Sequence, residues 1–236
     1  MSIEFTKDNL YSYLKELGKV FRKLNGKKMP AEIVLIGGGA VLANYNFREM
    51  TTDIDAIIRA SSAMKDAILA VSDKFGLPPD WLSTDFKHTD SYSNRLEEVS
   101  IYYRTFSNVL VVRAVAAEYL IAMKLMSGRR YKNDLSDIVG ILWEHEKSGN
   151  PITKESAEKA FDKLYGQASM PDISRQLLDD AFSKGNYEQT YMEVRENERD
   201  SKNLLLEFDI EHPGKLKGEN INDIIEMMRQ RKCEDR

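Results

Sequence analysis

The sequence Ile33-Val-Leu-Ile-Gly-Gly-Gly-Ala-Val-Leu-Ala-Asn-Tyr-Asn-Phe-Arg-Glu-Met-Thr-Thr-Asp-Ile-Asp-Ala-Ile-Ile58 joins two apolar runs through a glycine turn and a pair of acidic residues. Its first four residues are apolar, mostly β-branched and followed by glycine, which predicts a buried strand. Gly37, Gly38 and Gly39 lack a Cβ, so they can adopt positive φ and let a ligand approach the backbone. The Ala-Val-Leu-Ala that follows predicts at least one turn of helix, whose N-terminus favours an anion. This turn can therefore hold a phosphate.

The acidic pair Asp53 and Asp55 comes directly before the second apolar run, Ala56-Ile57-Ile58. On a strand, alternate side chains point to the same face about 6.7 Å apart, because each residue rises roughly 3.3 Å. Both carboxylates can then converge on hard divalent cations, which prefer oxygen ligands, while Ile54 is buried behind them. We therefore expect a site for one or two Mg²⁺ ions that act on a phosphate.

Two other glycine-rich motifs fit this stretch poorly. A dinucleotide-binding fingerprint requires a third glycine where Leu42 stands, and its acidic residue belongs at the carboxyl end of the second strand. A Walker A loop requires Gly-Lys-Ser or Gly-Lys-Thr, whereas Gly39 is followed by Ala40 and Val41. A third interpretation, an ordinary glycine turn and an acid-started strand without a ligand, stays open.

The order of strand, Gly-Gly, short helix and Asp-x-Asp resembles the nucleotidyltransferase superfamily that includes DNA polymerase beta. The resemblance implies that the glycines bind the triphosphate of an incoming NTP and that Asp53 and Asp55 bind Mg²⁺. It also implies a third carboxylate on a later strand, which acts as general base on the attacking hydroxyl. Glu98 and Asp85 are the candidates for it, although neither has the apolar neighbours that the resemblance predicts.

A second group of charged residues lies at the end of one predicted helix, residues 116–127, and the start of the next, residues 132–146. The group comprises Lys124, Arg129, Arg130, Asp134 and Asp137. This segment is similar to the later motifs of abortive-infection toxin nucleotidyltransferases, in which a Lys-x-x-Ala helix precedes an acidic pair. Ser127 stands in place of the alanine. The resemblance extends over roughly residues 30 to 140.

The chemistry of this charged group agrees with the resemblance. A lysine ammonium such as that of Lys124 can neutralise triphosphate charge, and arginines offer forked contacts to phosphate. The alternative is that Lys124 extends along the surface toward solvent. Asp134 and Asp137 would then form surface pairs with Arg130 or Lys132.

Periodic apolar residues predict the remaining elements. Thr6 is the expected cap of a helix over residues 7–24, which Gly26 ends. Residues 96–105 and 109–115 predict an antiparallel pair of strands joined by a short turn. From residue 151 onward the sequence predicts only helices. His88 lies in the polar loop 79–94, and we interpret it as a solvated side chain instead of a general base.

Composition limits the class of protein and its compartment. The 236 residues are 42% hydrophobic and 31% charged, which is ordinary for a globular protein with one sizeable core or two modest domains. A net charge of −4 argues against broad binding of nucleic acid, although a local basic patch could hold an RNA end. Cys233 is the only cysteine, so we expect no disulfide framework. With no secretion signal or membrane segment in the sequence, we expect a cytoplasmic protein.

The sequence thus predicts an α/β fold, in which a nucleotidyltransferase-like mixed sheet with flanking helices (residues 1–115) precedes a helical region with a charged tail (residues 116–236). The expected catalytic residues are Asp53, Asp55 and Lys124. The expected substrate-binding residues are Gly37, Gly38, Gly39, Arg129, Arg130, Asp134 and Asp137.

The expected reaction is Mg²⁺-dependent transfer of a nucleoside monophosphate from an NTP to an acceptor hydroxyl of RNA, such as a tRNA end, or of a protein. The closest resemblance implies a role as a toxin or in phage defence, with a cognate antitoxin as partner. A second copy of the chain is the other expected partner. The alternative is a catalytically silent protein of the same fold that binds a nucleotide or a partner.

Overall fold

The computed structural model describes residues 3–27, 29–166 and 168–234, and the side chain of Cys233 and the first two residues lie outside this part. In the described part, four strands form one mixed sheet in the order β2-β1-β4-β3, flanked and followed by nine α-helices. The strands are β1 (Ala31–Leu35), β2 (Ala56–Arg59), β3 (Ser100–Phe106) and β4 (Leu110–Val115). The helices are α1 (Lys7–Asn25), α2 (Gly37–Asn44), α3 (Ala63–Phe75), α4 (Ala117–Ser127), α5 (Asp134–Lys147), α6 (Lys154–Tyr165), α7 (Asp172–Lys184), α8 (Tyr187–Glu211) and α9 (Ile221–Glu234). The expected mixed α/β fold with a helical C-terminal region is confirmed.

Three strand ends meet at one edge of the sheet. β1 pairs antiparallel with β2 and parallel with β4, so Leu35 at the end of β1 lies opposite both Ala56 and Ala114. The N–H of Ile36 donates to the carbonyl oxygen of Asp55 at 3.1 Å. This pairing brings the glycine turn after β1 and the acidic residues before β2 to the same edge, beside the connection into α4.

Helix α1 forms as the periodicity predicts. The hydroxyl of Thr6 accepts a hydrogen bond from the backbone N–H of Asn9, and the Oδ1 of Asn9 accepts one from the backbone N–H of Thr6, so two free amides at the helix start are satisfied. The buried side chains Leu10, Leu14 and Phe21 recur at helical spacing, as in an amphipathic helix that covers a core. The expected cap and the end at residue 26 are confirmed.

Several element boundaries differ from the prediction, each for a local reason. Helix α2 begins at Gly37, so the glycines form its first turn instead of a loop before it. β2 begins only at Ala56, and the acidic pair precedes it, although Asp55 forms a parallel bridge to Ser83. β3 begins at Ser100 because turns fill residues 94–99.

One hydrophobic core extends from α1 to the start of α8 and includes residues of all four strands. A second, smaller cluster joins α8 to α9 through Leu204, Phe208, Ile225 and Met228. The division between residues 115 and 116 stays a prediction. Among the helices of the described chain, none has the length and hydrophobicity needed to cross a membrane.

Glu198 connects α8 to the start of α5 from inside the protein. This side chain is buried, and its Oε1 accepts hydrogen bonds from the N–H groups of Leu135 at 2.8 Å and Ser136 at 3.2 Å. Its Oε2 is buried without a hydrogen-bond partner among the described residues. Burial raises the pKa of Glu198 to about 8, although the bonds from Ser136 and Leu135 oppose this shift, and Asp137 adds to it. Helix α8 therefore caps α5 with a carboxyl group that holds its proton near neutral pH.

This raised pKa predicts how stability depends on pH. Unfolded Glu198 loses its proton near its ordinary value of 4.5, whereas folded Glu198 keeps it to about pH 8. The folded state then binds the extra proton between these values, so the free energy of unfolding falls as the pH rises through this window. We expect Glu198→Gln, which keeps the acceptor oxygen and removes the titration, to flatten the dependence by an amount on the order of a few kcal/mol. Urea unfolding of both proteins at several pH values measures it, and identical pH profiles would contradict the buried acid.

Candidate functional site

A cleft of about 650 Å³ opens at the sheet edge where the three strand ends meet. One wall is the glycine turn and the acidic pair, and the facing wall is the connection from α4 to α5. The lining includes Gly37, Gly38, Asp53, Asp55, Asp85, His88, Lys124, Arg129, Lys132, Asp134, Ile221 and Asn222. We call this cavity the cleft. Charged and polar groups of both signs line it, as expected for a site that binds a charged ligand.

The three glycines have different surroundings. Gly37 has a φ of 51°, which favours glycine, and a Cβ there would meet open space. A Cβ on Gly38 would lie 2.7 Å from the hydroxyl oxygen of Thr51, and one on Gly39 would touch Ile54 inside the protein. The amides of a first helical turn have no partner within the helix. Gly37 and Gly38 can therefore present backbone N–H groups to a ligand, whereas Gly39 serves the packing of α2.

The acidic pair lies beside the glycine turn in the same cleft. The Oδ1 of exposed Asp53 accepts a hydrogen bond from the Thr51 hydroxyl at 3.0 Å. Asp55 is half-buried, and burial together with repulsion from Asp53 raises its pKa to about 6, against the attraction of Lys132 and Arg129. The two carboxylates thus repel each other, and a divalent cation between them would relieve the repulsion.

The donor set fits one class of metal. Across residues 3–27, 29–166 and 168–234, no group of three or more His, Cys, Asp or Glu side chains is arranged to hold a metal. Mg²⁺ at nucleotide sites is held by one or two carboxylates together with substrate phosphates and water. Asp53 and Asp55 therefore fit Mg²⁺ that arrives with a triphosphate, and they do not fit a metal held by the protein alone.

One wall of the cleft contains most of a group of five charged side chains that we call the buried ion network. It consists of Arg48, Lys124, Arg129, Asp134 and Asp137. The Nζ of buried Lys124 lies 2.7 Å from Asp134 Oδ1 and 2.9 Å from Asp137 Oδ2. Arg129 Nε donates to Asp134 Oδ2 at 2.6 Å, and Arg48 donates to Asp137. Each carboxylate therefore contacts two cations.

These contacts fix the charge state of the network. Burial alone would lower the pKa of Lys124, but attraction to Asp134 and Asp137 outweighs it and raises that pKa above its usual value. Burial alone would raise the pKa of Asp134, yet Lys124 and Arg129 hold it well below its usual range. Counted by formal charge, three basic and two acidic side chains give the network one positive charge in excess. Lys124 does not extend to solvent, contrary to the alternative interpretation, and its partners are the two aspartates.

The structure separates some residues that the sequence grouped. Arg130 does not line the cleft and forms an ion pair with Glu226 on α9. Asp137 lines a neighbouring cavity instead of the cleft. Of the two candidates for a third carboxylate, Asp85 lines the cleft and helps to raise the pKa of Asp55, whereas Glu98 is exposed outside it.

Sequence reasoning missed three contributors to the site. Arg48 and Thr51 lie in the segment before the acidic pair, and a basic and a hydroxyl residue so close to Asp53 were signals that could have identified them. The start of α9 contributes Ile221 and Asn222 to the cleft. No sequence pattern places α9 at the site, because its position depends on how α9 packs back against α8.

Comparison with known proteins identifies the family of the chain. Residues 12–144 match a family described as a nucleotidyltransferase of unknown function (DUF6036). No curated protein and no solved structure matches the chain. The abortive-infection branch is a finer assignment, which this match leaves as a prediction. Because the match includes the glycine turn, the acidic pair and the buried ion network and spans more than half of the sequence, the chain belongs to this family of nucleotidyltransferases.

Proposed function

We propose that the protein transfers a nucleoside monophosphate from Mg²⁺-bound NTP to an acceptor hydroxyl, with pyrophosphate as the leaving group. The observation that carries the proposal is the meeting of Gly37 and Gly38 with Asp53 and Asp55 in one cleft, opposite the cationic α4–α5 connection. Phosphate, metal and counter-charge are the three requirements of phosphoryl transfer, and each has residues of the matching chemistry in this cleft.

The triphosphate would lie between the glycine turn and the facing cations. The amides of Gly37 and Gly38 donate to phosphate oxygens at the start of α2. Arg129 and Lys132 contribute positive charge, since both already act on the pKa of Asp55 across the cleft. Mg²⁺ held by Asp53 and Asp55 would supply charge neutralisation on the phosphates. In this arrangement the α-phosphorus would lie near the acidic pair.

Lys124 has an indirect role in this proposal. Its ammonium is committed to Asp134 and Asp137, and Asp134 in turn holds the guanidinium of Arg129. Lys124 is therefore a positioning residue that fixes the cationic wall. Removing it would leave two buried carboxylates short of a partner, which costs roughly 3–5 kcal/mol of stability.

Asp85 is the carboxylate that we assign to the acceptor. It lies in the short 3₁₀ turn Asp85–His88, directly after the bridge of Ser83 to Asp55. As a carboxylate beside Asp55, it can accept the proton of the acceptor hydroxyl while the hydroxyl oxygen attacks the α-phosphorus. The acceptor belongs to RNA or to protein.

A second candidate function is nucleotide or partner binding without transfer. The setting of the third carboxylate favours it, because Asp85 lies in an exposed 3₁₀ turn and Glu98 lies outside the cleft, so that neither is on the strand that the resemblance implies. A role as a toxin or in phage defence, with an antitoxin as partner, is part of the first proposal. Growth arrest that requires Asp53 and Asp55 would support that role, and equal arrest by the double Asn variant would count against it.

The first prediction from the proposed function concerns the acidic pair. Asp53→Asn combined with Asp55→Asn should abolish Mg²⁺-dependent NTP binding and leave the fold intact, because the change removes the metal ligands and relieves repulsion between them. Asp80→Asn, an exposed acid outside the cleft, is the control. Calorimetric titration with Mg²⁺ and each NTP, together with the thermal midpoint, measures both effects.

The same variants test transfer when the wild-type protein is incubated with α-labelled NTPs, Mg²⁺ and total cellular RNA and protein. Label should enter one of these fractions with wild type and be lost with the double variant. We expect Asp85→Asn to retain NTP binding and lose transfer. Wild-type NTP binding without any labelled product would favour the silent alternative, and normal Mg²⁺-dependent binding by the double variant would refute the metal assignment.

The second prediction compares two neighbouring arginines. Arg129→Gln should weaken Mg²⁺-dependent NTP binding roughly 10- to 100-fold, since a charged hydrogen bond contributes about 1.5–3 kcal/mol. Arg130→Gln should leave NTP binding unchanged, because Arg130 pairs with Glu226 away from the cleft. The two titrations are performed on proteins of matched net charge. Equal effects of both substitutions would show that bulk charge, and not position in the cleft, determines binding.

A further inference from the structure

A second cavity of about 410 Å³ adjoins the cleft. Asp53, Tyr131 and Lys132 line both cavities, so the two spaces meet at the acidic pair. The far wall of the second cavity is α8, which contributes Arg195 and Lys202. Both residues lie beyond residue 144, where the family match ends. The transfer reaction as proposed so far uses neither of them.

Arg195 is held on this wall by a buried tyrosine. The hydroxyl of Tyr191 donates to the carbonyl oxygen of Phe47 at 3.1 Å and accepts from Arg195 Nη1 at 3.1 Å. The guanidinium carbon lies 5.9 Å from the centre of the Tyr191 ring. Lys202 follows seven residues later, which is two helical turns and about 10.5 Å along the same face. The wall thus presents two cations in a row along α8.

Basic side chains outnumber acidic ones in the lining of the second cavity. Arg48 also lines it but is paired with Asp137. Within the described part of the chain, Lys132, Arg195 and Lys202 form no ion pair with an acidic side chain, and all three are exposed. Two other acidic residues line the cavity, Glu49 and Asp53. In our proposal Asp53 binds the metal. On a chain of net charge −4, this concave positive site is suited to an anion.

We infer that the second cavity is the acceptor subsite and that the acceptor carries a phosphate group, which Arg195 and Lys202 bind. This inference rests on the proposed transfer reaction. With its phosphate against α8, the acceptor extends its hydroxyl past Asp53 into the cleft, where the NTP lies. The hydroxyl oxygen forms a bond to the α-phosphorus, the bond to the pyrophosphate oxygen breaks, and the hydroxyl proton passes to Asp85.

This chemistry separates phosphate-bearing acceptors from protein side chains. Unpaired guanidinium and ammonium groups bind phosphate through charge-assisted hydrogen bonds. The hydroxyl of a protein carries no such group. The phosphodiester of an RNA end and the phosphate of a free nucleotide both satisfy the subsite, and they differ in the number of charges that they bring.

The test uses two probes, a fluorescein-labelled ten-nucleotide RNA with a free 3′ hydroxyl and 5′-AMP as its competitor. Binding is measured by fluorescence anisotropy over a range of salt concentrations for wild type, for Arg195→Gln combined with Lys202→Gln, and for Arg199→Gln. Arg199 is the matched control, because it lies on the same helix, pairs with Glu196 and does not line the cavity. Calorimetric binding of Mg²⁺·ATP to each protein reports separately on the cleft.

We expect the double variant to bind the RNA at least tenfold more weakly and to lose about 0.7 from the slope of log affinity against log salt, the value for one lost phosphate contact on a single strand. Its Mg²⁺·ATP affinity should equal that of wild type, and Arg199→Gln should change neither quantity. Displacement of the RNA by 5′-AMP assigns the subsite to a single nucleotide phosphate. Failure of 5′-AMP to displace it assigns the subsite to the polymer, and both results support a phosphate-bearing acceptor.

Three results would overturn the inference while leaving the proposed function standing. The first is a wild-type protein that binds Mg²⁺·ATP normally but binds neither RNA nor 5′-AMP. The second is an RNA affinity that the Arg195→Gln and Lys202→Gln substitutions leave unchanged. The third is transfer of label only to protein. A wild-type protein that fails to bind Mg²⁺·ATP would instead refute the proposed function, and the acceptor subsite with it. Tyr191→Phe adds a finer test, since it frees Arg195 without changing charge and should weaken RNA binding less than the double variant does.

Discussion

Two carboxylates at the start of α5, Asp134 and Asp137, form ion pairs with three basic side chains. These are Arg48 before β2, Lys124 in α4 and Arg129 in the α4–α5 connection. Moving such charges out of water costs several kcal/mol for each ion, and the cost is recovered only when every charge has a partner in good geometry. Lys124 contributes the central contact because it reaches both aspartates. The network therefore stabilises one arrangement of α4, α5 and the segment before β2, and that arrangement forms one wall of the cleft.

The opposite wall depends on strand pairing. The antiparallel register of β1 with β2 places the glycine turn next to the acidic pair, through a hydrogen bond from Ile36 to Asp55. A wall with two carboxylates thus faces a wall with an excess positive charge. Mg²⁺ and a triphosphate would complement both walls at once, since the metal binds the acids and the phosphates bind the cations. Burial and the neighbouring Asp53 raise the pKa of Asp55, and a cation bound between the two carboxylates would oppose both effects.

The sequence was sufficient for the order of elements and for the central stretch. Local signals determine these features: a hydroxyl cap at Thr6, glycines at the ends of helices, and apolar runs that match strands. The observed ends of helices and strands differ from the predicted ones where pairing with distant residues determines them. β2 starts only at Ala56, because Asp55 pairs with Ser83 across a loop that the sequence marks merely as polar.

The contacts that complete the site could not be predicted from local patterns. Arg48 and Asp137 are 89 residues apart, and Glu198 reaches the start of α5 over 63 residues. The neighbours Arg129 and Arg130 are equivalent in the sequence, yet one pairs with Asp134 and the other with Glu226 on a helix near the end of the chain. Motif reasoning thus identified the residue types of the site, whereas the packing of α8 and α9 decided which of them face the cleft.

The central claim is that Asp53 and Asp55 hold a metal against a triphosphate on the glycine turn. Crystals grown with Mn²⁺ and a non-hydrolysable ATP analogue test it directly, because anomalous scattering locates Mn²⁺ without reference to the protein. We expect an anomalous peak within bonding distance of both carboxylates, with the triphosphate against the amides of Gly37 and Gly38. A bound analogue whose metal and phosphates lie elsewhere, with Asp53 and Asp55 free of metal, would contradict it.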